Sequence, residues 1–265
     1  MSKHAEGPRC TCTAVRSAAT LFCALSTLGG VADANGKWVA VAEWRGTHKS
    51  AELGEVVGLC TAELVAKDWI ITAAHCATRV LKKEPVHVQI IFSQSNNPEV
   101  KRGIKSCHKC IGEDVDVVLC KLSVPVNAFK PFTLNSDLYR TNKPAKKGKG
   151  VYTVGTSGGY HEEGPKALEY EGNGAHLYVH KEADAAAGGW GMKAGDSGGA
   201  WVHEVHNGGK TQYLLSGVIH GGSGSRGIAA QVSFMRSWID KTTNSTAQWG
   251  SASAGNGTLA AGAWH

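Results

Sequence analysis

From Lys37 onward the chain alternates short apolar runs with turns built from Gly, Asn, Pro and charged residues. The runs "WVAVAEW" (38–44), "GEVVGLCTAELV" (54–65), "DWIITAA" (68–74), "VHVQIIF" (86–92) and "DVVLCKL" (116–122) read as strands. Residues 123–148 contain Pro and Lys without strong periodicity and read as a connection between two halves. Strands resume with "GVYTVG" (150–155), "AHLYVH" (175–180), "GGAWVHEV" (198–205), "YLLSGVIH" (213–220) and "GIAAQV" (227–232). "SFMRSWIDK" (233–241) spaces its apolar residues as a helix does and closes the second half. The pattern predicts an all-β fold in two halves, 35–122 and 149–241, with a flexible Gly/Ala/Ser/Thr-rich tail at 242–265. No internal repeat is evident.

Composition changes this picture little. The 265 residues include 34 glycines, which suits tight turns between strands. Net charge is only +6, and the densest basic run, "NKPAKKGKG" (142–150), has no interleaved aromatic residue. It reads as a solvated linker, which argues against a nucleic-acid partner.

The first 34 residues change it more. Lys3, Arg9 and Arg16 precede a short apolar segment, Ser17–Leu28, and Ala32 and Ala34 supply small residues at a cleavage site. We expect a secretory signal over 1–34, removed after Ala34, and a secreted product with no stable membrane association. The apolar segment is short for a membrane span. Removal takes away Cys10, Cys12 and Cys23 and leaves Cys60, Cys76, Cys107, Cys110 and Cys120. Disulfides are then expected, and the odd number leaves one thiol over. Cys120, on an apparent strand, is the candidate for a free core residue. Cys107 and Cys110 lack a second pair to complete a zinc site, so a local Cys107–Cys110 disulfide is expected and no metal. Asn244 and Asn256 open glycosylation sequons.

Three stretches carry chemistry. "ITAAHC" ends an apolar strand in His75, and "DVVLCKL" begins with Asp116 entering another strand. "GMKAGDSGGAW" (191–201) sets Ser197 among glycines, directly after Asp196. A carboxylate going into an apolar strand needs a partner, and His75 is the obvious one. An imidazole oriented by a carboxylate can take a hydroxyl proton as the oxygen attacks. The backbone N–H groups of Gly195 and Ser197 can form an oxyanion hole, with Asp196 holding the loop in shape. Asp114 competes with Asp116, and the alternation of Val115, Val117 and Leu119 does not separate them.

"TAAHC", the Asp of "DVVLCKL" and "GDSGG", in that order over Trp38 to Lys241, resemble the chymotrypsin/trypsin-like serine proteases. The resemblance favours Asp116 and implies two packed antiparallel β-barrels with a C-terminal helix. His75 and Asp116 would come from the first barrel and Ser197 from the second. It also implies a Cys60–Cys76 disulfide. The substrate pocket would have Gly191 at its base and Gly222 and Gly227 on its walls, and substrate backbone would pair around His220, Gly221 and Gly222. "GVIHGGSG" (217–224) is similar to bacterial streptogrisin-like enzymes. Gly191 in place of an aspartate argues against selection of Lys or Arg, and the wall glycines leave a wide pocket that suits a bulky apolar residue. His220 stands where the family usually has a serine near the triad aspartate. Neither an "IVGG" segment nor an arginine at Thr153 is present to pair with Asp196, so activity directly on signal removal is expected.

The function these features imply is a secreted serine endopeptidase, acting as a monomer on protein or peptide substrates through an acyl-enzyme and without cofactor. Two rivals stand beside it: a catalytically silent protease-like binding module, and a self-processing protease.

Overall fold

The computed structural model describes residues 37–94, 97–111, 115–138, 148–173, 175–180, 193–207, 210–223 and 226–251. The expected signal, the latter part of the tail, Asp114, Gly191 and Asn256 lie outside these residues.

The first half forms one antiparallel sheet from β1 (Val41–Ser50), β2 (Gly54–Ala66), β3 (Trp69–Ala73), β4 (His87–Gln94), β5 (Asn97–Arg102), β6 (Ile104–Lys109) and β7 (Val117–Leu122). Their spatial order is β5-β4-β1-β2-β3-β7-β6. A 3₁₀ turn, Ala74–Ala77, and the single-turn helix α1 (Thr78–Leu81) link β3 to β4. The second half contributes β8 (Thr133–Asn135), β9 (Gly148–Gly155), β10 (His161–Asn173), β11 (His176–His180), β12 (Ala200–Asn207), β13 (Lys210–Ser223), β14 (Arg226–Gln231), helix α2 (Arg236–Thr243) and β15 (Gln248–Gly250). Its order is β12-β9-β10-β11-β14-β13-β8-β15, and an added β12–β13 pairing closes six of these strands into a ring. The fold is all-β with two barrels and a short C-terminal helix.

Burial explains which strands alternate and which do not. β1 mixes buried and exposed positions and Gly54–Leu59 of β2 are exposed or half-buried, but β2 is buried continuously from Cys60 to Ala66 and β3 throughout. One face of this β2 segment fills the first sheet's core, and the other meets the second barrel. Trp38 is buried across the seam, its ring against Phe132, Tyr152 of β9 and Tyr213 of β13. A single cluster of buried apolar side chains therefore runs through both sheets.

Five strands fall outside the apolar runs read from the sequence: β8 and β15 have three residues each, and three longer strands lack the signal. β5 ("NPEVKR") and β6 ("IKSCHK") are mostly polar. β10 carries Gly164-Pro165 and is bulged there, with register shifts between Glu163 and Lys166 and between Lys166 and Leu168; a bulge is where a strand interior tolerates proline. The expected tail also begins later than residue 242. Helix α2 ends with Asn244 in the left-handed conformation (φ 52°), the first sequon residue and exposed, and β15 then pairs with β8. Among the described residues no helix is long and apolar enough to cross a membrane.

The cysteine expectations need correction. Cys107 pairs with Cys120, not with Cys110, because β6 runs antiparallel to β7 and sets Cys107 directly opposite Cys120. Cys110, just beyond β6, is the buried free thiol, and burial raises its pKa. Cys60 and Cys76 are disulfide-bonded.

Candidate active site

The buried strand β3 delivers His75 into the 3₁₀ turn that follows it. Asp116 precedes β7, the partner of β3, and holds this turn through three contacts. Its backbone oxygen accepts from Ala74 N at 3.0 Å, Oδ1 accepts from His75 N at 2.9 Å, and Oδ2 lies 2.5 Å from His75 Nδ1. The carboxylate thus fixes the position and the tautomer of the imidazole, leaving Nε2 as the basic nitrogen. Burial alone would raise the Asp116 pKa. The His75 side-chain bond, the His75 charge, the His75 amide and, more weakly, the His220 charge outweigh it and hold the carboxyl below its usual value.

Ser197 belongs to the loop before β12 and is tied by its backbone to the first barrel. Its carbonyl oxygen accepts from Thr61 N at 2.8 Å and lies 3.7 Å from the Sγ of Cys76, the residue after His75. The Cys60–Cys76 disulfide joins β2 to the histidine turn, so Ser197 is seated where those two meet. The Thr61 hydroxyl donates to Gly195 O at 3.1 Å and accepts from Thr156 N at 3.0 Å, while Thr72 Oγ1 donates to Thr61 O at 2.6 Å. Thr61, Thr72 and Thr156 thus form a buried hydroxyl relay beneath the serine loop. Motif reading missed all three. For Thr61 and Thr72 the available signal was a polar residue inside the apolar runs "GLCTAELV" and "IITAAHC"; Thr156 lies outside both.

The glycines of "GDSGG" answer to conformation and space. Gly195 has φ 103° and Gly198 φ 86°, in the region L side chains avoid. A Cβ on Gly198 would also lie 2.1 Å from both Thr61 O and Thr72 Oγ1. Neither the Gly195 nor the Ser197 amide donates a hydrogen bond among the described residues, as suits donors turned toward a ligand.

Asp196 is 1% exposed. Oδ1 accepts from Ser157 N at 3.1 Å and Oδ2 from Lys193 N at 2.6 Å. Main-chain donors therefore meet this carboxylate.

The remaining predicted residues fall on β13 and β14. Gly221 pairs with Ile228 and Gly222 with Gly227, which brings the two expected wall glycines side by side. The register slips between Ile219 and Gly221, so His220 is the extra residue of a bulge. Its Nε2 sits 3.4 Å from His176 Nδ1. Burial lowers the His220 pKa; the Asp116 charge opposes that, and His176 and His75 add to it.

A family model described as Trypsin matches residues 28–239. The chain belongs to the trypsin family. The match covers both barrels and overlaps residues 28–34 of the expected signal. No curated protein matches the chain as a close relative. Membership in the trypsin family brings serine-type peptide hydrolysis as the chemistry of the fold, with a peptide as the substrate class.

Proposed function

We propose that the protein is a secreted serine endopeptidase in which Ser197 is the nucleophile, His75 the general base and acid, and Asp116 the residue that orients and stabilises the imidazolium. The carrying observation is the doubly anchored His75–Asp116 pair, with the Ser197 backbone bonded to Thr61 and against Cys76. His75 Nε2 takes the hydroxyl proton as Ser197 Oγ bonds to the peptide carbonyl carbon. The oxyanion is received by the Gly195 and Ser197 amides. Collapse of the tetrahedral species breaks the C–N bond, and His75 returns the proton to the leaving amine. Water then repeats the sequence on the acyl-enzyme and releases the acid.

Removal of a single oxyanion donor typically costs about 10²–10³ in rate, so the loop conformation set by Gly195 and Asp196 carries a large share of the barrier. Substrate backbone aligns along Gly221 and Gly222, which have no side chain to obstruct it. Gly191 in place of an acidic base favours a bulky apolar residue over Lys or Arg. Backbone amides already engage Asp196, which supports activity without a second cut.

Fluorophosphonate labelling tests the assignment. Native protein is expected to react at Ser197, and denatured protein or Ser197→Ala to stay unlabelled. Equal labelling of native and denatured chains, or none at all, rejects it. Cleavage-site mapping then tests specificity; a dominant Lys or Arg preference overturns the apolar pocket.

A further inference from the structure

His176 opens β11 and His220 occupies the bulge of β13, 44 residues later, yet their rings face one another with centroids 5.4 Å apart. Both residues are half-buried, so solvent reaches the pair. The 3.4 Å between His220 Nε2 and His176 Nδ1 is long for a nitrogen–nitrogen hydrogen bond. Two nitrogens bound tetrahedrally to one zinc ion at about 2.0–2.1 Å stand about 3.4 Å apart. The spacing is that of a chelate.

The backbone that carries the pair is preorganised. His176 pairs with Ala230 across β11–β14, and its carbonyl accepts from Gln231 Nε2 at 3.2 Å. The bulge turns His220 out of the regular alternation of β13, the usual effect of such an insertion. A rival cluster, Cys60, His75 and Cys76, brings its ligand atoms within 4.8 Å of one another. Its two sulfurs are joined in a disulfide and offer no thiolate, so that cluster takes no metal in the oxidised chain.

We propose that His176 and His220 form a binding site for a divalent cation of the zinc type, which inhibits the enzyme from beside the catalytic histidine. Two imidazoles and water complete the coordination. Inhibition has two sources, and both rest on the function proposed above. Ile219, the residue before His220, accepts from Gly198 N at 2.6 Å and donates to Gly199 O at 2.8 Å beside Ser197, so a dication at His220 stands next to the serine loop and opposes the imidazolium that His75 must become. The ion also stands at the entry to Gly221 and Gly222, where substrate backbone would lie.

The test separates the site from the activity. Calorimetric titration of Zn²⁺ into the Ser197→Ala protein should give one ion per chain. The same titration on Ser197→Ala carrying His176→Gln, or His220→Ser as a second variant, should weaken binding by about 10–100-fold or more, the loss that follows even an outer partner of a metal ligand. In the active protein, zinc should inhibit peptide hydrolysis reversibly on chelation. His176→Gln should keep the zinc-free rate and escape inhibition. Absent binding in Ser197→Ala, or zinc binding or inhibition unchanged by His176→Gln, overturns the proposal. An inactive wild-type chain would sink the proposed function and still leave the calorimetry to decide the metal site.

Discussion

Thr61, in the first barrel, holds both ends of the Gly195–Ser197 turn of the second. Its amide donates to Ser197 O at 2.8 Å and its hydroxyl to Gly195 O at 3.1 Å. The oxyanion-hole geometry proposed here therefore depends on the seam between barrels as much as on the loop itself. Thr61→Val keeps shape and removes the hydroxyl, leaving Gly195 O and Thr156 N without that partner in a buried site. We expect a loss of about 1–3 kcal/mol in stability by urea unfolding. Steady-state kinetics on a peptide ester should show kcat lower by about ten- to hundredfold, with KM little changed. Thr61→Ser should restore kcat. Loss of stability with kcat intact would remove Thr61 from the positioning role.

Asp116 bonds both the backbone and the ring of His75, whereas its sequence competitor Asp114 lies outside the described residues. Asp116→Asn turns a charged acceptor into an amide that favours the wrong imidazole tautomer. A fall in kcat of about 10⁴-fold at neutral pH is expected, with fluorophosphonate labelling slowed in parallel. Asp114→Asn should leave both unchanged. The opposite ranking would transfer the role to Asp114.

Gly198→Ala should be far more damaging to folding than Ser197→Ala next to it. The alanine Cβ would collide with Thr61 O and Thr72 Oγ1, and φ 86° is unfavourable for it in any case. Overpacking and backbone strain act together, and a loss above about 4 kcal/mol is expected. Ser197→Ala, at a half-buried position, should stay within about 1 kcal/mol of the parent. Urea titrations of the two variants make the comparison.

The parts of this molecule that were legible in its sequence are those where one local rule decides. Val117–Leu122 and Trp69–Ala73 are apolar because they are buried, and "GDSGG" is glycine-rich because each of its three glycines needs positive φ or no Cβ. What escaped depends on pairing across distance. Cys107 meets Cys120 through the β6–β7 register, which a one-residue slip would have changed, and β6 itself has too few apolar residues to announce a strand. The Thr61–Thr72–Thr156 relay and the His176–His220 contact join residues from separate parts of the chain, so no short window of sequence contains them. Gly191 lies outside the described residues, and the expected pocket base with it.

His203 gives the fold a sensitivity to acid. It is buried in β12 with Nδ1 2.7 Å from Ser216 Oγ, and Asn135 Nδ2 donates to that same oxygen at 2.9 Å. The site around His203 disfavours the charged ring. Burial lowers its pKa from 6.5 to about 4, against an opposing pull from Asp137. A depressed folded value means the contribution is full above the unfolded value and is lost as pH falls toward about 4. The loss amounts to about 3 kcal/mol. Urea midpoints at pH 7 and pH 4.5 should differ less in His203→Gln than in the parent. An equal difference in both would assign the acid sensitivity elsewhere.

Glu63 acts in the opposite direction. It is fully buried in β2, neither carboxylate oxygen has a hydrogen-bond partner among the described residues, and burial raises its pKa well above 4.5, with only its own amide working against that. No ionisable side chain contributes to the shift, so burial alone favours the neutral acid. A raised folded value means its contribution is full below about pH 4.5 and is lost as pH rises through the folded value. From about pH 4.5 up to its folded value Glu63 loses stability that His203 gains on the same rise. Ionising Glu63 leaves an unpaired carboxylate in the core. Glu63→Gln keeps the shape and removes the ionisation, so on raising the pH from about 4.5 to about 8.5 its thermal midpoint should end higher relative to the parent's than it began. Identical slopes in the two proteins would mean that Glu63 keeps one protonation state throughout that range.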